Sequence, residues 1–277
     1  SGGGKVDYRG WHADHMYGWG LVDWYYLSGD LDSLESAVDL AEVSRWTIDP
    51  YEPGSDERAG GFPNRRNARH LMLTTRVWEA TKDPRWQTLM GHQTDFDRNE
   101  KWKTSLDHQV DVLLQAPAWY DFAVRNDPRC GTLPCGFFKE SPQSARGHAG
   151  CLVGEEAWCK VIYENTFMNG LLVDGMYRYA LATEGVDAAR SNAIKLKLHS
   201  LANLYMKFGL SEPALYTSKD MFFDWPNPGT DSGTGDVTRP VEIGSVQIGE
   251  NTYNAVNLLT AAYRLTGNRA YLDRAKV

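Results

Sequence analysis

Arg9-Gly-Trp-His-Ala-Asp-His-Met-Tyr-Gly-Trp-Gly-Leu-Val-Asp-Trp-Tyr-Tyr-Leu-Ser-Gly-Asp30 is the stretch that decides the fold. Its first half is crowded with ionisable and aromatic side chains, and its second half is an apolar stripe ended by Gly-Asp. Trp11, His15, Gly18, Trp19, Val22, Tyr25 and Tyr26 recur at three- and four-residue steps, which predicts an amphipathic helix over 12–27. Ser28-Gly29-Asp30 stops it. Leu31, Leu34, Val38, Ala41 and Val43 then carry a second helix, so the unit is a helical hairpin.

The same unit recurs downstream. After a loop over 49–66 rich in Pro, Gly and charge, a helix from Asn67 runs through Leu71, Leu73, Val77 and Trp78 to Thr81-Lys82-Asp83, and Trp86 and Leu89 mark its partner. Three turns align: Tyr25-x-x-Ser28-Gly29-Asp30, Trp78-x-x-Thr81-Lys82-Asp83 and Tyr263-x-x-Thr266-Gly267-Asn268. The aromatic packs the last turn, Gly supplies a left-handed C-cap, and Asp or Asn caps the next helix. Tyr179 to Gly185 is a looser copy, and Trp119 to Asp127 is a further candidate. Hairpins at irregular intervals predict an all-α fold: an α/α toroid of helical hairpins with long loop insertions. In such a ring the first helices line the inside and the second helices the outside.

Two insertions stand out, one over 127–163 and one over 211–248. The second is rich in Gly, Pro, Thr and Asp, and its Val237, Val241, Ile243 and Val246 suit a short strand pair. Loops of this length are uncommon unless they are functional, so they are expected to build up the mouth of a cleft. At 277 residues the chain is expected to form a single domain, 1–277. It begins Ser-Gly-Gly-Gly and stops at Val277 just inside a new helix, so it reads as a processed or truncated piece.

Composition narrows the partners. The net charge of −7 and scattered basic residues argue against a nucleic-acid surface. No apolar run reaches the length of a membrane helix. Ten Trp and 14 Tyr supply helix-packing anchors and stacking platforms for sugar rings. Cys130, Cys135, Cys151 and Cys159 all fall in the first insertion, which fits a disulfide-pinned loop in a secreted or periplasmic protein. The alternative is a zinc site, although the C-x4-C and C-x7-C spacings lack the usual knuckles.

First helices are predicted to start near 12, 66, 105, 164 and 250, and polar and aromatic residues crowd those starts. They are Trp11, His12, Asp14 and His15; Arg65, Arg66, Asn67 and His70; Lys103, Ser105, Asp107 and His108; Tyr163, Glu164, Asn165 and Asn169; and Glu250, Asn251, Tyr253 and Asn254. Parallel first helices would gather these starts into one polar, aromatic-lined bowl. Capping explains some of the Asp, Asn and Glu but not the histidines, the arginine pair or Trp11. His12-x-Asp14-His15 invites a metal reading, but His15 is better placed as a general acid or base, and no metal site is assigned. Arg65 and Arg66, with Asn67, suit a carboxylate at a helix N-terminus. Glu164 and Asp14 form a candidate pair of carboxylates for acid and base work. A Gly-rich phosphate loop, a G-x-S-x-G elbow and an H-E-x-x-H motif are all missing from the sequence.

Trp11-His12-Ala13-Asp14-His15 with Leu21 to Asp30, the helix from Arg66 to Asp83, and Phe167 to Tyr179 resemble the α/α-toroid domains of carbohydrate-active enzymes. The resemblance is to exo-acting rhamnogalacturonan lyases and related toroid polysaccharide lyases and glycosidases, and it covers most of residues 9 to 277; it implies a six-hairpin ring, of which this chain is an incomplete version. It implies a lyase that cleaves uronate-containing polysaccharide by β-elimination, removing the proton beside the uronate carboxyl group. His15, His70 and Tyr163 are then the candidate acids or bases. Arg65, Arg66 and Asn165 would bind the carboxylate, with Trp11, His12, Asn67 and Asn169 completing the substrate-binding set. No cofactor is implied, and a divalent cation such as calcium is compatible with the acid-neutralising role. A glycoside hydrolase on the same toroid is the first alternative, and a non-catalytic extracellular carbohydrate-binding or assembly protein is the second.

Overall fold

A computed structural model describes residues 17–48, 65–82, 95–114, 119–124, 130–138, 161–164, 166–209, 221–224, 240–241 and 250–276. These residues are mostly helical. In chain order the elements are α1 (Trp19–Ser28), α2 (Leu31–Ile48), α3 (Arg65–Thr81), α4 (Asp95–Leu114), β1 (Trp119–Asp121), β2 (Gly136–Phe138), β3 (Val161–Glu164) and α5 (Thr166–Thr183). Then come α6 (Ala188–Leu204), which runs on into a wider turn at Tyr205–Gly209, β4 (Met221–Asp224), β5 (Pro240–Val241), α7 (Glu250–Thr266) and α8 (Arg269–Ala275). No helix among the described residues is long and apolar enough to cross a membrane.

The odd- and even-numbered helices form two layers. α1 packs on α3, α3 along α5, and α5 on α7, while α2, α4, α6 and α8 lie against their odd-numbered partners. Direction follows from pairs that advance together. Trp19 and Asp23 of α1 meet Arg69 and Arg76 of α3, so these two helices are parallel. Gly175 of α5 lies against Ala68 and Leu71, and Arg178 reaches Glu79 at 2.7 Å, so α3 and α5 are parallel as well. The beginnings of α1, α3 and α5 therefore share one end of the layer.

The repeated turn has the predicted chemistry at both ends of the chain. Gly29 (φ 74°) and Gly267 (φ 69°) adopt the left-handed conformation and donate to the carbonyls of Tyr25 and Tyr263, each at 2.8 Å. The hydroxyl before each glycine turns back onto its own helix, Ser28 to the Trp24 carbonyl at 2.7 Å and Thr266 to that of Ala262 at 2.8 Å. The same hydroxyls accept the amides of Asp30 and Asn268, and Asn268 then caps α8 by accepting from Ala270 at 3.0 Å. In the looser copy two more residues lie between the hydroxyl of Thr183 and the capping residue, and Asp187 caps α6 by accepting from the Arg190 amide at 3.0 Å.

Two apolar clusters hold the layers together. Val22, Leu34, Ala37, Val38 and Ala41 meet Leu73, Val77, Ala80 and Trp102 between the first two hairpins. A larger cluster joins Ala68, Leu71 and Trp78 to α4, the β1–β2 hairpin, α5, α6, α7 and Tyr271 of α8. α3 contributes to both, and every residue from 67 to 75 is buried.

Several expectations need correction. α1 begins at Trp19, because Tyr17 and Gly18 lie outside the helix; residues 12–16 are outside the described residues. The helix expected to start near 105 starts at Asp95. Trp102, Leu106, Val110 and Leu113 form one buried stripe that continues upstream, and Lys103 and Asp107 are an ion pair within the helix. α4 packs on α3, and the partner helix read at Trp86 and Leu89 lies outside the described residues. Trp119 to Asp127 does not repeat the helical turn, since Trp119–Asp121 is a strand paired antiparallel with Gly136–Phe138. The strand pair expected in 211–248 exists in part: Phe222 pairs with Val241, and Met221–Asp224 pairs on its other side with Val161–Glu164. That three-stranded sheet ties the end of one insertion to the other.

Candidate functional site

The shared end of α1, α3 and α5 is built around Arg69. Its guanidinium carbon lies 4.1 Å from the ring centre of Tyr17 and 4.9 Å from that of Trp19, while the two rings tilt against each other at 5.4 Å. Arg69 is buried and Tyr17 is exposed. A cation desolvated against two aromatic faces gains about 2 kcal/mol from the ring quadrupoles. The contact thus fastens the start of α1 to the start of α3, and Tyr17 offers an aromatic face to solvent there. Neither Arg69 nor Tyr17 was singled out from the sequence. The available signal was spacing, since Arg69 follows Arg65 by four residues on one helix face.

His70 occupies the interior one residue further on and is fully buried. Its Nδ1 lies 3.0 Å from the Ser44 hydroxyl of α2 and 3.2 Å from Thr74 of α3, and its Nε2 lies 3.3 Å from Ser105 of α4. Three helices therefore converge on one imidazole, which gives the ring a packing role. Asn67 is buried in the same turn of α3. Asn169, in the first turns of α5, is buried too, and its amide donates to the Phe138 carbonyl of β2 at 3.1 Å. The starts of α3 and α5 thus carry buried amides and an imidazole, while the start of α1 carries the aromatics.

The other predicted site residues are placed less fully. Arg65 and Arg66 open α3, and Tyr163 and Glu164 close β3, directly before α5. Their side chains lie outside the described residues, as do Trp11, His12, Asp14, His15 and Asn165 altogether. Cys130 and Cys135 form a disulfide, so the zinc alternative loses two of its four thiolates; Cys151 and Cys159 lie outside the described residues. Among the described residues no group of three or more His, Cys, Asp or Glu side chains is arranged to hold a metal ion.

A second polar cluster sits toward the opposite end of the layer. Tyr179 of α5 donates to Asp107 of α4, which also pairs with Lys103. Arg190 of α6 grips Asp111 with two bonds of 2.8 and 3.0 Å and reaches Asp107 at 3.5 Å and Asp187 within its own turn. Burial, and then the bond to Asp107, push the Tyr179 hydroxyl well above the usual tyrosine range. The Asp111 carboxylate holds the Arg190 guanidinium even more firmly protonated than usual. These bonds tie α4 and α6 to each other and to α5.

No protein-family model, curated protein or solved structure matches the chain.

Proposed function

We propose that this chain is the helical-hairpin part of an α/α-toroid carbohydrate-active enzyme, a lyase that cleaves uronate-containing polysaccharide by β-elimination. One observation carries the reading: the parallel helices α1 and α3 bring a buried guanidinium and the aromatic faces of Tyr17 and Trp19 together at one end. The arginine pair at the start of α3 and Tyr163-Glu164 before α5 belong to that same end by chain position. An aromatic face beside cationic groups suits a sugar ring bearing a carboxylate, because the ring stacks while a guanidinium takes the acid bidentately. In this reading Arg65, Arg66 and Asn165 neutralise or hold the uronate. His15 or Tyr163 moves the proton, with Asp14 and Glu164 as the remaining candidates. Trp11, His12 and Asn67 complete the binding surface.

The direct test is incubation with pectic and other uronate polymers while following the ultraviolet absorbance of the unsaturated product. Activity is expected on a uronate polymer, with Arg65→Ala/Arg66→Ala reducing it by about 100-fold or more through the lost carboxylate contact. Reducing sugar released from neutral glycans without that absorbance would replace the lyase by a hydrolase. Binding without turnover would leave a non-catalytic carbohydrate-binding protein.

A further inference from the structure

The β1–β2 hairpin is small but is bonded directly to two helices, α5 and α6. Its strands pair Trp119 with Phe138, Tyr120 with Phe137 and Asp121 with Gly136, and Cys130–Cys135 closes the loop that precedes β2. Both cysteines are buried, whereas residues 131–134 between them are exposed. Phe122 donates its amide to the Cys135 carbonyl at 3.2 Å, so the bridge also fixes the end of β1.

From this clipped loop two polar routes lead outward. On one, the Pro134 carbonyl accepts from the buried amide of Asn203 in α6 at 2.8 Å, and the Asn203 oxygen accepts the Tyr271 hydroxyl of α8. On the other, the Phe138 carbonyl accepts from Asn169 at the start of α5. Pro134 and Phe138 lie one residue before and three residues after Cys135, so one bridge sets the position of both acceptors. A buried amide that loses its acceptor is costly, and moving either carbonyl is therefore felt in the helix that donates to it.

We propose that Cys130–Cys135 is a redox-sensitive latch: closed, it holds the Pro134 and Phe138 carbonyls where Asn203 and Asn169 reach them; opened, it loosens α8 and the start of α5 together. A small dithiol opens it by exchange. One thiolate attacks a bridge sulfur, the protein S–S bond breaks, and the second thiol closes the reductant into its own disulfide, leaving Cys130 and Cys135 as thiols. Because the sulfurs are buried beneath an exposed loop, exchange requires that loop to lift first.

Hydrogen exchange read by mass spectrometry tests it. The oxidised chain is compared with Cys130→Ser/Cys135→Ser, and with the oxidised chain after treatment with dithiothreitol and after reoxidation. Amides of α8 and of the first turns of α5 are expected to exchange about tenfold faster when the bridge is open, with the α1–α2 hairpin unchanged and the protection restored on reoxidation. Asn203→Ala with the bridge closed should loosen α8 and leave α5 as it was. Acceleration confined to residues 119–138 overturns the latch, because the bridge would then be a local clip. Equal acceleration over the whole chain overturns it as well, by making the bridge a support of the global fold. An Asn203→Ala protein with unchanged α8 exchange eliminates the route through Asn203.

Discussion

Helices α1 and α3 lie side by side and point the same way, yet they expose and bury opposite kinds of residue. In the apolar α1, Trp24 is 54% and Leu27 82% exposed, while in the more polar α3, Arg69 is 6% and His70 0% exposed. The difference is one of neighbours. α3 has α1 on one side, α5 on the other, and α2 and α4 against it, whereas α1 contacts α2 and α3 among the described elements. Position in the layer, not hydropathy, decides what is covered, and a covered helix with a polar sequence must satisfy its polar groups internally. The hydroxyls around His70 and the rings around Arg69 are how α3 does so.

The comparison breaks most sharply at His70. His70→Ala removes a buried ring and its hydrogen bonds with Ser44, Thr74 and Ser105, so we expect a loss of about 3 kcal/mol, from the cavity and the lost bonds together. Urea unfolding measures it. His70→Leu combined with Ser44→Ala and Ser105→Ala should recover much of that loss, because replacing both sides of a buried polar contact by apolar groups of similar volume is close to neutral. A loss under about 1 kcal/mol for His70→Ala would mean that the imidazole does not hold the three helices together.

A smaller effect is expected at Tyr179, the buried polar residue of the neighbouring α5. Tyr179→Phe keeps the ring and deletes the bond to Asp107, for an expected loss of about 2 kcal/mol at neutral pH, since the acceptor is charged. The pH dependence has a definite sign. The folded state holds the hydroxyl proton more tightly than the unfolded chain, so the contribution is complete below the unfolded value of about 10 and shrinks as the pH rises above it. The stability gap between the parent protein and Tyr179→Phe should therefore narrow above about pH 10 in unfolding curves taken across that range. A gap that widens there contradicts the raised hydroxyl.

How much of this was legible in the sequence follows the same divide. The turns at Ser28-Gly29-Asp30 and Thr266-Gly267-Asn268 were readable because their chemistry is local: a hydroxyl, a left-handed glycine and a cap within a few residues. The sequence places the start of α4 too late because the polar run Lys103 to His108 looks like a helix beginning, whereas Lys103 and Asp107 are an ion pair within a longer helix. Trp119 reads as a helix anchor because its pairing partner Phe138 is remote in sequence and no periodicity reveals it. At the candidate site the arginine-rich start of α3 was visible. The identity of the arginine that meets Tyr17 and Trp19 was not, because it depends on how α1 lies on α3.

Glycines give the finest measure of that crowding. Gly20 in α1 has open space where a side chain would go, whereas a Cβ at Gly175 in α5 would lie 2.8 Å from Leu71 Cβ, 3.1 Å from the Ala68 carbonyl oxygen and 3.3 Å from the Met72 amide. Glycine inside a helix costs about 1 kcal/mol relative to alanine, so Gly20→Ala should stabilise by nearly that amount. The same helical gain is available at Gly175, but two of its three contacts are with backbone, which cannot swing aside. Separating α3 from α5 is expected to cost about 1–3 kcal/mol and to reverse the sign, leaving Gly175→Ala about 1 kcal/mol less stable than the parent. Chemical denaturation of the two single variants decides it. If both substitutions stabilise, α3 and α5 are not in backbone contact and the covered status of α3 rests on side chains alone. If both destabilise, α1 is covered where it now appears open, and the contrast between the two helices disappears.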